Sequence, residues 1–239
     1  MKNFSLLKFI LIACLSFLIL WLNSCRTYPV LTPATNASKP DTPEQSATAS
    51  VAGVRVIVQA QAWDGTTVLK DHITPLRVTI NNNSGKSIKV NYMDFVLVSS
   101  DGEQFAALPP YEIEDSIQDL SPRANHDIIT PDFFYEGFSI APYYFPRYEG
   151  IDAFDGNFHY SPDYHDNYYH YWAEIPLPTI EMLQQALPEG VIQDKGKVTG
   201  FLYFEVVPDN IQQINFKMNV VDSENENRLG TLTIPFLAY

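Results

Sequence analysis

The chain of 239 residues carries 28 Asp and Glu against 15 Lys and Arg, a formal net charge of −13. Phosphate contacts draw on Lys and Arg, so this balance excludes nucleic acid as a partner, and an anionic membrane surface would repel such a chain. The two cysteines, Cys14 and Cys25, both lie in the first 25 residues, so the body of the chain has no disulfide, thiolate metal site or cysteine nucleophile to draw on.

Met1 to Lys8 contains Lys2 and Lys8 and no acid, and Phe9 to Leu22 is almost wholly apolar. A charged start, an apolar stretch and small residues before a cut make residues 1–24 a secretory signal peptide. The apolar run is shorter than the ~20 residues of a bilayer span. Leu22-Asn23-Ser24-Cys25 resembles the lipobox of bacterial lipoproteins. That resemblance implies cleavage before Cys25 and multiple acylation of Cys25, with palmitate-type chains in the number that stable anchoring needs. The same resemblance, to enteric-type lipoproteins in which a residue other than Asp after the cysteine favours the outer membrane, implies from Arg26 an outer-membrane lipid anchor with the domain facing the periplasm. Loss of residues 1–24 leaves 28 acids against 13 bases, a charge near −15.

Residues 25–50 are rich in Thr, Ala, Pro and Ser with almost no large apolar residue after Leu31. They read as an acylated cysteine followed by a disordered tether, reaching on the order of 25–30 Å. One domain, residues 51–239, follows. Val54 to Ala62 alternates, Asp64-Gly65 turns, and Leu76 to Ile80 alternates again. Asn81 to Lys86 is a turn cluster. Strands follow at Ile88 to Val90, Asp94 to Val98 and Gln104 to Ala106, then at Val198 to Val207, Ile214 to Val221 and Leu229 to Phe236. Pro235 lacks an amide donor, which puts the last strand at an edge or ends it there. Ile113, Ile117 and Leu120 fit one short helix; Ile180 to Leu187, capped by Thr179 and stopped by Pro188, fits another. Short strands between Gly, Asn and Asp turns predict a mainly-β fold, an antiparallel Ig-like β-sandwich.

Between the two β-rich blocks, residues 111–174 hold ten of the fourteen tyrosines, four of the five histidines and thirteen acids against two bases. This long irregular insertion concentrates the features that meet partners. Tyr160, Tyr164, Tyr168, Tyr169, Tyr171 and Trp172 offer flat faces with polar edges suited to a glycan or a peptide; the same rings could instead cover a sheet. His159, His165 and His170, with Asp163 and Asp166 between them, have donor types that suit zinc or copper, although their spacing matches no established zinc motif. Gly137-Phe138-Ser139-Ile140-Ala141 lacks the final glycine of a nucleophile elbow, and Gly196-Lys197-Val198 is no phosphate loop.

Thr74 to Ser84, then Asp94 to Val98 and Asp101-Gly102, resemble Ig-like sandwich domains of uncharacterised lipoproteins of the Gram-negative envelope. Leu177 to Thr179, Glu181 to Leu183, Leu187 to Val191 and Val198 to Phe204 are similar to a later stretch of such proteins, where a Tyr-rich insertion also precedes the helix. The resemblance implies a fold and a place and supplies no catalytic residues. The expected function is a non-catalytic, lipid-anchored binding or structural module, held to the membrane through Cys25. It meets an envelope protein or a cell-wall glycan through residues 111–174. Metal binding through the histidines is the alternative, and a hydrolase using acids such as Asp152 and Asp155 ranks third.

Overall fold

The computed structural model describes residues 29–39, 45–65, 70–110, 128–145, 147–159 and 180–239. They form a mainly-β, antiparallel, sandwich-like fold. Its eleven strands are β1 (Leu31–Pro33), β2 (Ser46–Val51), β3 (Val54–Gln59), β4 (Ile73–Asn82), β5 (Ile88–Val90), β6 (Phe95–Ser99), β7 (Gln104–Leu108), β8 (Phe134–Ile140), β9 (Gly190–Glu205), β10 (Gln213–Asp222) and β11 (Arg228–Ala238). The strand order is β1-β11-β10-β6-β7-β9-β4-β3-β2, with β5 bridging β10 and β9 and β8 pairing β9.

The alternating residues do what their period predicts. Val54, Val56 and Val58 of β3, Leu76, Val78 and Ile80 of β4, Ile214, Phe216, Met218 and Val220 of β10, and Leu232, Ile234 and Phe236 of β11 all enter one core. Phe216 ties it together, with ring centroids 6.2 Å from both Phe95 and Phe204. The ends of the strand order meet. Ser38 bridges Thr48 of β2, and Gly230 of β11 lies so close to β2 that a Cβ there would fall 2.5 Å from Val51 Cγ2.

Two expectations are corrected. The tether assigned to residues 25–50 is, over its described residues, part of the sheet: β1 pairs β11 and β2 pairs β3. Leu31 is 4 % exposed, and Ser46 and Ala47 are buried. Small residues suit this seam because they let β2 approach its neighbours closely. The insertion assigned to 111–174 is not irregular throughout. Its described part contains β8, which pairs β9 through a register shift between Glu136 and Phe138. Gly137 takes φ +57° there, and a Cβ on Gly196 opposite would meet Gly137 O at 2.7 Å, so the two glycines admit the crossing. Pro235 does not end its strand: β11 runs on to Ala238, with β1 outside it.

Helix α1 (Ile180–Gln185) is two residues shorter than expected, because Ala186 bridges Phe201 and Leu187 N–H donates to Phe201 O at 2.8 Å. Six residues make no stable helix alone. Tyrosines hold it: Tyr203 Oη–H donates to Met182 O and Tyr148 Oη–H to Leu183 O, both at 3.0 Å, satisfying carbonyls that a helix end leaves open. Trp63, Met182, Ala186, Phe201 and Tyr203 then form a second core on the outer face of β9. The helix proposed at Ile113 to Leu120 and the Thr179 cap lie outside the described residues.

Candidate functional site

Of the residues expected to carry function, Cys25, Tyr160, Tyr164, Tyr168, Tyr169, Tyr171, Trp172, Asp163, His165, Asp166 and His170 lie outside the described residues. His159 is described. Its side chain is 66 % exposed, with Nε2 3.8 Å from Glu226 Oε1. Among the described residues no group of three His, Cys, Asp or Glu could hold a metal ion. Asp152 and Asp155 are both exposed.

Other tyrosines of the 111–174 segment turn inward. Tyr144 and Tyr148 are buried in the main core, their ring centroids 5.9 Å apart, and Tyr143 lies 5.2 Å from Tyr144. Tyr143 and Tyr144 lie beside Glu189, which is 1 % exposed. Its carboxylate accepts hydrogen bonds from Tyr143 Oη–H and, at 2.9 Å, from Tyr92 N–H. Desolvation pushes the carboxyl up to about 7, against those two bonds and the Lys89 ammonium. The same burial holds the Tyr92 and Tyr144 hydroxyls well above the ordinary phenol range. The Lys89 ammonium lies 4.8 Å from the Phe158 ring centre and 2.9 Å from Glu226 Oε1. The cage ties protonation to folding, since its carboxyl is closed off from solvent.

An open site lies on the other side of the sheet. The cover that α1 and Trp63 give the outer face of β9 stops near Thr199. Beyond it, a cleft of about 420 Å³ is lined by Ile57, Gln59, Arg77, Thr79, Phe134, Lys197 and Thr199. The register explains this grouping. Thr79 pairs Thr199 across β4 and β9, and Thr199 pairs Phe134 across β9 and β8. Val78 and Val198 point into the core, so their neighbours along each strand point out.

The two threonine hydroxyls are 2.9 Å apart on the cleft floor. The Lys197 ammonium stands 5.0 Å from the Phe134 ring centre, and Phe134 is 49 % exposed. An adjoining cleft of about 190 Å³ shares Arg77 and Thr199 and is lined also by Asp64, Asp132 and Gln185. The arrangement offers a cation at each end, a pair of hydroxyls between them, the Gln59 amide opposite Arg77 in the register, and one exposed ring. It can bind and orient a polar ligand.

Sequence reasoning missed Arg77, Thr79, Lys197, Thr199 and Phe134 as a group. The i, i+2 pairs on β4 and β9 mark outward positions, but only the pairing register joins them across 120 residues. No protein-family model, no curated protein and no solved structure matches this chain.

Proposed function

We propose that the chain is a non-catalytic binding module of the cell envelope, anchored through lipid on Cys25, which meets its partner with the surface that residues 111–174 help to build. The observation that supports this reading is the outer-face cleft, to which β8, a strand of that segment, contributes Phe134 beside Arg77, Lys197 and the paired threonines. A cleft of this size falls within the ~300–1,000 Å³ of small-ligand sites, with a few polar groups placed to fix orientation. An aromatic ring and an arginine are among the residues that partner surfaces enrich.

A photoreactive phenylalanine analogue placed at position 134, and at exposed Asp209 as a control, tests the reading in intact cells. Adducts of any chemistry should form from position 134, should be absent from position 209, and should fade when Arg77→Ala is added. The same adduct pattern from both positions, or none from position 134, would overturn the reading.

A further inference from the structure

We propose that the cleft is a subsite for a carboxylated saccharide. The inference rests on the binding-module reading and goes beyond it by naming the ligand's chemistry.

The lining sorts into the three kinds of group such a ligand presents. The Arg77 guanidinium is exposed and makes no ion pair or side-chain hydrogen bond among the described residues, so its planar fork is open to a carboxylate. Lys197, held against the Phe134 ring, supplies a second cation whose position the ring helps to fix. Arg77 is opposite Phe201 in the register and Lys197 lies four residues along β9, so the two cations flank the threonine pair about 13 Å apart along the strand.

Between them, Thr79 Oγ1 and Thr199 Oγ1 hold one another in a single hydrogen bond, leaving acceptor lone pairs and one donor for neighbouring sugar hydroxyls. The Gln59 amide adds both kinds of group. Phe134 exposes ring surface to the C–H groups of a pyranose.

The alternatives fit less well. A peptide is captured by adding a strand to a free sheet edge or by seating a helix in an apolar groove. This floor lies mid-sheet, where β4 has β3 and β9 on its two sides and β9 has β4 and β8, so the backbone is already paired. A densely phosphorylated polymer would meet Asp64 and Asp132 just beyond Arg77 and Glu136 opposite Lys197. One carboxylate per sugar unit suits isolated cations set among acids.

The test uses the full chain in detergent micelles and isothermal titration. The probes are a galacturonic acid trimer and an N-acetylglucosaminyl-N-acetylmuramic acid disaccharide. The comparators are neutral galactotriose, triglutamate and inorganic phosphate. At least one acidic saccharide should bind saturably. Arg77→Ala and Lys197→Ala should each weaken it about 10-fold while leaving the melting temperature unchanged, as for loss of one hydrogen-bonded contact. Thr79→Val should weaken it by a similar factor and lower the melting temperature, because it strands the buried Thr199 hydroxyl. Every comparator should bind at least about 10-fold more weakly.

Equal binding of triglutamate, galactotriose or phosphate would overturn the proposal, as would indifference to Arg77→Ala. So would the absence of saturable binding by both acidic saccharides up to about 10 mM. Adducts at position 134 in cells alongside any of these results would leave the binding-module reading standing and reject only the ligand class.

Discussion

Burial pushes the Glu189 carboxyl up to about 7, against hydrogen bonds from Tyr143 and Tyr92 and the nearby Lys89 ammonium. Desolvation wins because the group is closed off on all sides. The folded chain therefore holds this proton more tightly than the unfolded chain, whose glutamates titrate near 4.5. Its contribution to stability is full below about 4.5 and is lost as pH rises through 7, a swing on the order of 3 kcal/mol. Asp94, raised to about 6 chiefly by desolvation, acts in the same direction over a lower window, from about 4 to 6. Asp222 and Glu226, lowered chiefly by hydrogen bonds from Lys86 and Lys89, act the other way and lose their contribution as pH falls. Glu189→Gln keeps the shape and an acceptor for Tyr92 N–H while removing the ionisation. The wild-type urea midpoint should fall between pH 5 and 8, and the variant's should fall much less. Parallel pH profiles for the two proteins would refute this account.

Strands β1 and β2 show what an element can conceal. Leu31 is the last large apolar residue before a Thr-, Ala- and Pro-rich run, and Ser46, Ala47 and Thr48 carry no periodic signal. Their place comes from pairing: β1 with β11, near the far end of the chain (Leu31 with Ala238), and β2 with the adjacent β3. A tether residue truncated to Ala would change stability within about 0.5 kcal/mol. Leu31→Ala should instead cost about 2–3 kcal/mol, because it empties a buried site; denaturant titration of both chains decides between them. The Val54-Val56-Val58, Leu76-Val78-Ile80 and Ile214-Phe216-Met218 alternations were legible because each has one buried face. In β8 the bulge at Gly137 breaks the period, so Phe138 and Ile140 are buried while Phe134 and Glu136 face outward. The cleft was illegible for a further reason. Its floor is made where two long strands cross register, and its extent is set by where α1 stops covering β9, which no local pattern records.

At the scale of the whole molecule, charge is the strongest force left unbalanced. The segment 111–174 carries thirteen acids against two bases, while residues 51–110 carry five of each. Within the described part of that segment, Asp132, Glu136, Glu149, Asp152 and Asp155 are all exposed. Self-repulsion of such a surface opposes the compact state, and it reaches about 30 Å at 0.01 M salt but only about 3 Å at 1 M. The melting temperature of the chain should therefore rise with sodium chloride. Replacing two exposed acids with lysines, Asp152→Lys with Asp155→Lys, removes four units of negative charge without touching the core, the Glu189 cage or the cleft. At 0.01 M salt the double variant should melt above wild type, by about 2–4 °C for each kcal/mol of repulsion relieved. At 1 M the gap should close, because screening has already removed what the substitutions remove. A gap of equal size at both salt concentrations would mean that the two positions act through local contacts, and that repulsion across the acidic surface does not limit the stability of the fold.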